Sequence, residues 1–365
     1  MIRDIIFQRN FFRFAHRIFL WHVKYFVRQK VSPLACGFYL TSKCNFQCEL
    51  CNIWRINPGF QMPEAEARKL INELCKMGLV YFSFSGGEPL IIPYVFDLLA
   101  YAKESGIIYT HVVSNGYLMD ETMAKRLAYA RVSEISFSLD GDEKVHDKNR
   151  AMNGAFKKVI EAIEYVKTYA PKTRIVLNTI LDPAYPENAI FAIKTAKHMR
   201  VKIKVQPVND HPSFGVRECA VKSRRSLQSD EKQKLLDAIA LIQSSPHVIN
   251  SKPFLENYKA FLFCPENLMF AKDDCIFGYH HIEFFANQIF PCLEGLDWKE
   301  GFDVSTSSVE AILESNAYRN KLQELKKCSH CKRNYYICYY EPRLNFPIWN
   351  LITSRLRTPK MRDND

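Results

Sequence analysis

Residues 43–54 read KCNFQCELCNIW and place Cys44, Cys48 and Cys51 on one short stretch, separated by three and then two residues. A structural zinc site or a closed iron–sulfur site takes four protein ligands, so a tight trio leaves one coordination position for another partner. Three thiolates on one loop suit three irons of a 4Fe-4S cube whose fourth iron is open to an exogenous ligand. A zinc ion that borrows a fourth ligand, or three unligated thiols, are the other readings.

Three more polar stretches follow. SGGEP (85–89) offers Gly86 and Gly87, whose bare backbone lets a ligand approach closely, then Glu88 as an acceptor for an ammonium group, then Pro89. SNG contains Ser114 and Asn115, and SLDG contains Ser138 and Asp140, whose oxygens suit ribose hydroxyls. Asn178 and Gln206 follow in later apolar runs. Taken singly, each stretch is also ordinary turn chemistry.

The elements that must position these residues alternate. Short β-rich runs GFYL (37–40), VYFSFS (80–85), IYTHVVS (108–114), EISFSL (134–139), RIVLNTI (174–180) and VKIKVQPV (201–208) are separated by amphipathic helical stretches. Pro63 and Gly78 bracket one such stretch, and Asp120 is the N-cap of another. Six β–α repeats argue for a parallel sheet, open or curled into a partial barrel. In such folds the active site is built at the carboxyl ends of the strands, where all the polar stretches fall. A mostly helical connector (209–261), a cysteine-rich α+β module (262–340) and a short basic tail (341–365) complete the chain.

Together, TSKCNFQCELCNIW, SFSGGEPL, SNGYL and SFSLDG resemble the radical S-adenosylmethionine (SAM) superfamily over residues 35–208. The resemblance implies a partial (β/α)6, TIM-like barrel with Cys44, Cys48 and Cys51 on a 4Fe-4S cluster whose fourth iron is chelated by SAM. It further implies reductive cleavage of SAM to methionine and a 5′-deoxyadenosyl radical that abstracts hydrogen from a substrate. Gly86, Gly87 and Glu88 would then meet the methionine amine, and Ser138 and Asp140 the ribose. Pro89, Ser114, Asn115 and Asn178 would lie in the same cofactor-binding rim. VHDKNR continues the pattern, so Arg150 is expected either on the SAM carboxylate or in a local salt bridge. Leu50 stands where the family more often has an aromatic residue near adenine.

The C-terminal cysteines are similar to those of the SPASM and twitch modules of this superfamily. Cys275 and Cys292 flank FGYHHIEFFANQIFP, which reads as a β-hairpin turning at Asn287, and Cys328 and Cys331 form a CxxC. The further cysteines of a full two-cluster module are missing after Cys338. One auxiliary 4Fe-4S cluster on Cys275, Cys292, Cys328 and Cys331 is therefore expected, with Cys264 and Cys338 as substitutes and a zinc site as the other reading. Cys36, Cys75 and Cys219 read as small buried hydrophobes.

Hydrophobic residues make up 47% and charged residues 24%, which excludes a disordered chain, and the formal charge is +11. Residues 1–30 hold Arg3, Arg9, Arg13, Arg17, Lys24, Arg28 and Lys30 against Asp4 alone. Phe11, Phe14, Ile18, Trp21 and Tyr25 recur at helical spacing among them. The charges exclude a transmembrane span and a signal peptide. Two readings stay open: an amphipathic anchor to a membrane surface or hydrophobic partner, and a helix whose aromatic stripe packs on its own domain. Twelve cysteines without a secretory signal indicate a reducing compartment.

A cytoplasmic oxidoreductase, peripheral on the inner membrane surface, is the expectation. It would oxidise or hydroxylate a bulky hydrophobic molecule such as a tetrapyrrole, isoprenoid or lipid. The expected reductant is a ferredoxin or flavodoxin, with no nucleic-acid partner. A peptide maturase and a nonenzymatic iron–sulfur protein are the rivals.

Overall fold

The computed structural model describes residues 11–27, 30–48, 51–209, 227–264, 267–268, 275–293, 300–328, 331, 335–336, 338 and 341. Leu50, Cys219 and the basic tail from Arg343 onward lie outside them.

All six expected strands form: β1 (Ala35–Thr41), β2 (Tyr81–Gly86), β3 (Tyr109–Ser114), β4 (Glu134–Ser138), β5 (Arg174–Leu181) and β6 (Lys202–Pro207). Each pairs in parallel with the next. Helices α2 (Glu64–Lys76), α3 (Val95–Glu104), α4 (Glu121–Tyr129), α5 (Glu143–Arg150), α6 (Ala155–Tyr169) and α7 (Pro186–His198) form the crossovers. Their starts follow from capping chemistry: Asp120 accepts from the Met123 amide at 2.7 Å, and Asp142 from that of Val145 at 2.9 Å.

Strand parity gives the sheet two unlike faces. Phe38, Phe82, Phe84, Val112, Ile135, Phe137 and Leu177 point to the helices and form the core with Leu70, Leu98 and Ile163. The other, concave face carries Ser83, His111, Glu134, Ser136, Asn178 and Lys204. The sheet does not close on itself, so the architecture is a partial barrel.

Part of the cysteine-rich region extends the main sheet. Its hairpin, β7 (His281–Phe285) and β8 (Gln288–Phe290), turns through Ala286 and Asn287, both at positive φ. Strand β7 then pairs in parallel with β1, Gly37 opposite Glu283. With β9 (Phe302–Asp303) the sheet has, among the described residues, nine strands in the order β6-β5-β4-β3-β2-β1-β7-β8-β9.

The helical connector contains α8 (Ser229–Ser244) and α9 (Lys252–Phe263). It borders β6 through Asn250, whose amide exchanges two 2.9 Å hydrogen bonds with the Val205 backbone. Tyr335 stacks on Phe254 and Phe261 of α9. Its neighbour Tyr336 joins the cluster that contains Cys292, so two consecutive tyrosines tie the connector to the cysteine-rich region.

At the opposite end of the strands, α1 (Phe11–Phe26) lies across the barrel floor. Phe14, Ile18, Trp21 and Tyr25 pack against Leu34, Val80, Ile108 and Tyr109, all just before or at a strand start. Burying Phe14 and Trp21 contributes roughly 1.5–3 kcal/mol each. This is the domain-packing reading of the aromatic stripe; the side chain of Phe11 lies outside the described residues.

Candidate functional site

The three-cysteine loop leaves β1 at Thr41 and is fastened by backbone hydrogen bonds. The Gly87 amide donates to the Thr41 carbonyl at 2.7 Å, and the Glu88 amide to that of Lys43 at 2.8 Å. Only glycine permits this approach. A Cβ at Gly86 would lie 2.3 Å from the Thr41 oxygen and one at Gly87 2.0 Å from that of Lys43. Gly86 also sits at φ 118°, a left-handed conformation. These two glycines hold the three-cysteine loop against the end of β2.

Glu88 is buried and its carboxylate is held by three donors of the chain. Its Oε1 accepts from the Leu90 amide at 3.0 Å and from Ser114 Oγ at 2.9 Å, and its Oε2 accepts from the Asn115 amide at 2.7 Å. Burial outweighs these three donors and pushes its carboxyl up to about 7. Pro89 starts the short helical turn that follows. SGGEP and SNG are thus joined through one carboxylate, two strand ends brought together as the motifs implied.

Asp140 and Arg150, which the resemblance directs to the ribose and carboxylate of SAM, are bound to each other. Arg150 Nε and Nη2 donate to the two Asp140 oxygens at 2.7 and 2.8 Å. The salt-bridge reading of Arg150 is therefore the one this geometry contains. The pair stands beside the trio, with Cys48 Sγ 3.8 Å from the Arg150 carbonyl. Ser138 and Asn178 are paired neighbours on β4 and β5, both half-buried on the concave face.

Burial raises all three thiols of the trio, Cys44 up to about 12; nearby Arg150 opposes the shift for Cys48 and Cys51. Such thiols need a strong cationic partner to ionise, and iron supplies one. Among the described residues no three His, Cys, Asp or Glu side chains converge at single-ion spacing, whereas a 4Fe-4S cube spreads its thiolates over separate corners. One residue missed in the sequence also bears on the fit. Asn45 accepts from Asn115 Nδ2 at 2.8 Å through its Oδ1, while its own buried Nδ2 has no partner. An unpaired donor beside Cys44, a trio of soft ligands and a cradle closed to any Cβ suit an anionic cluster with a polar ligand.

The C-terminal cysteines are brought together in part. Cys275, Cys292 and Cys328 pack around Phe277, Leu325 and Tyr336, while Cys331 packs against the main core. Cys264 and Cys338 are exposed. Cys36 is fully buried, and half-buried Cys75 donates to the Ser105 carbonyl.

Residues 38–193 match the model of the radical SAM superfamily. The chain carries a radical SAM domain. It is 31% identical over 139 residues, 37% of this chain and 40% of the relative, to the AdoMet-dependent heme synthase of Methanosarcina barkeri. It is 28% identical over 174 residues, 46% of this chain and 45% of the relative, to the PqqA peptide cyclase of Granulibacter bethesdensis. The chain thus spans less than half the length of these curated relatives. Streptococcus suis SuiB bound to precursor peptide SuiA shares the fold at a TM-score of 0.62 and 15% identity, over 86% of this chain and 74% of that one. So does anSMEcpe with bound AdoMet, at 0.59 and 18%, over 88% and 99%.

Proposed function

We propose that this chain is a radical SAM oxidoreductase working on a bulky substrate held against the concave face of the barrel. The observation that carries the reading is the three-cysteine loop clamped to the ends of β1 and β2 through Gly87 and Glu88. When bound, a 4Fe-4S cluster and SAM supply a reductively generated 5′-deoxyadenosyl radical that removes a hydrogen atom from the substrate. Cys44, Cys48 and Cys51 hold three irons. Gly86, Gly87, Glu88, Pro89, Ser114 and Asn115 frame the methionine end, and Ser138, Asp140, Arg150 and Asn178 frame the ribose side. In that role Asp140 and Arg150 act as a locked pair.

Cys275, Cys292, Cys328 and Cys331 would hold a second 4Fe-4S cluster, which would supply a one-electron acceptor for a net oxidation. The apolar setting of the first three supports a dry, closed site. The chain acts on the cytoplasmic side, in peripheral contact with the inner membrane surface, and is reduced by a ferredoxin or flavodoxin.

Of the substrate classes suggested by the sequence, a tetrapyrrole with carboxylate arms fits best. Similarity to a heme synthase supports this choice. A peptide maturase is the second reading, favoured by the similarity to a PqqA peptide cyclase.

Anaerobic reconstitution with iron, sulfide, dithionite and SAM tests the reading. The wild type should hold about eight irons per chain and release 5′-deoxyadenosine, and the Cys44/Cys48/Cys51 triple alanine variant about four irons and none of the nucleoside. A reconstituted wild type that releases no 5′-deoxyadenosine would leave only the nonenzymatic reading. Cys328→Ala with Cys331→Ala should lose the other four irons; zinc at that site instead would end the two-cluster assignment.

A further inference from the structure

Helix α1 has two apolar faces, and the barrel uses only one. Phe14, Ile18, Trp21 and Tyr25 face the floor. Phe12, Phe19, Val23 and Phe26 fall on the opposite side of the helix at about 100° per residue, and all are exposed, Phe12 at 83% and Phe26 at 87%. Leu20 and Val27 widen this outer face. Elsewhere among the described residues, large exposed apolar side chains are scattered singly, at Tyr129, Tyr185 and Phe191. A stripe of exposed phenylalanines on one helix marks a contact surface.

We propose that this outer stripe docks the chain on an anionic membrane surface, with the barrel floor toward the lipid and the cluster loop away from it. The inference deepens the peripheral-contact reading and is independent of the radical chemistry. Charge selects the occupant. The helix contains no acidic residue, and Arg13 and Lys24 are exposed along one flank of the outer stripe. Arg17 is turned inward, donating to the Leu79 carbonyl at 2.9 Å, and Lys30 is paired with Glu310 and Glu314. A second copy docking on the same face would bring cationic flanks together with no acid on either helix to offset them. Anionic headgroups offset them directly, while the phenylalanines enter the acyl boundary.

The orientation follows from where the helix sits. It spans the positions just before β1, β2 and β3, and β2 rises from Tyr81 at the floor to Gly86 at the rim, about 17 Å at ~3.3 Å per residue. The cysteine loop therefore faces water, where a soluble electron donor reaches it. The stripe singled out by periodicity is the packing stripe, and the anchor is its reverse side.

Vesicle flotation of the full chain tests this. Wild type should bind phosphatidylcholine vesicles containing about one-third phosphatidylglycerol at least ~10-fold more tightly than phosphatidylcholine alone, and less tightly at high salt. The triple variant Phe12→Ser, Phe19→Ser, Phe26→Ser should lose ~10-fold or more in affinity with an unchanged melting temperature. Arg13→Glu with Lys24→Glu should lose several-fold and most of the salt dependence. Trp21→Ala, on the packing stripe, should lower the melting temperature instead. Equal binding by wild type and the triple variant overturns the proposal, as does a wild type that ignores vesicle charge or does not bind. So does light scattering that finds a wild-type dimer which the triple variant abolishes, because the face is then covered by a second copy. Release of 5′-deoxyadenosine in solution should be unchanged in the triple variant, so failure of this proposal and failure of the enzyme reading give different results.

Discussion

The two ends of the barrel treat buried polar groups in opposite ways. At the floor, the cluster around His111 and Glu134 is satisfied from within. Tyr81 Oη and Ser83 Oγ meet His111 Nδ1 at 2.7 and 2.8 Å, and Ser136 Oγ meets its Nε2 at 2.8 Å. Glu134 accepts from Tyr109 at 2.8 Å and from Lys204 at 2.7 Å, with Arg174 at 3.8 Å. At the rim, side chains and backbone amides fasten loops instead, and the buried Asn45 Nδ2 next to Cys44 is left without a partner. A satisfied network holds shape, and an unsatisfied one waits for a ligand.

The largest expected effect would break the rim and spare the floor. In Gly87→Ala the new Cβ meets backbone at Lys43, which no rotamer change relieves. The loop must shift, so the first cluster should be lost, about four irons per chain, and 5′-deoxyadenosine release should fall ~100-fold or more. Iron analysis and product assay measure both, and a fully loaded, active variant would remove the clamp from the account. Next in size is the reverse experiment. Glu134→Ala leaves Lys204 and the Tyr109 hydroxyl without their carboxylate partner, which should cost about 3 kcal/mol in urea unfolding. Its rim should still load iron at low temperature. Loss of iron in this variant would mean that floor and rim are one unit.

The rim was legible in the sequence because each of its parts is a strand end with the loop that follows, and strand parity aims them alike. The floor was not. Its partners are contributed by different strands, and VYFSFS or IYTHVVS reads as an ordinary alternating strand until register sets Ser83 beside His111. The same limit explains β7, where the hairpin was readable and its pairing with β1 was not. Asp140 and Arg150 are close in sequence; the resemblance directed Asp140 to the ribose and left Arg150 between the SAM carboxylate and a local salt bridge, and geometry pairs the two. Helix α1 hid its second face because periodicity identifies an apolar stripe but not what covers it.

The smallest effect is a pH dependence confined to the floor. Burial depresses the His111 imidazole from 6.5 to about 4, so the folded chain holds it neutral while the unfolded chain protonates it first. Stability from this group is therefore complete above pH 6.5 and declines as pH falls toward 4, by about 1 kcal/mol at pH 5.5. His146 and His281 are depressed in the same direction, so the wild-type curve contains more than one histidine. His111→Gln isolates the contribution, because an amide keeps hydrogen-bonding capacity and does not titrate. Urea unfolding at pH 7.5 and 5.5 should show the variant losing about 1 kcal/mol less than wild type between the two. An identical loss in both would mean that the His111 ring titrates like a solvated histidine. Water would then enter the floor, and the contrast between a sealed floor and an open rim would fail at the residue on which it most depends.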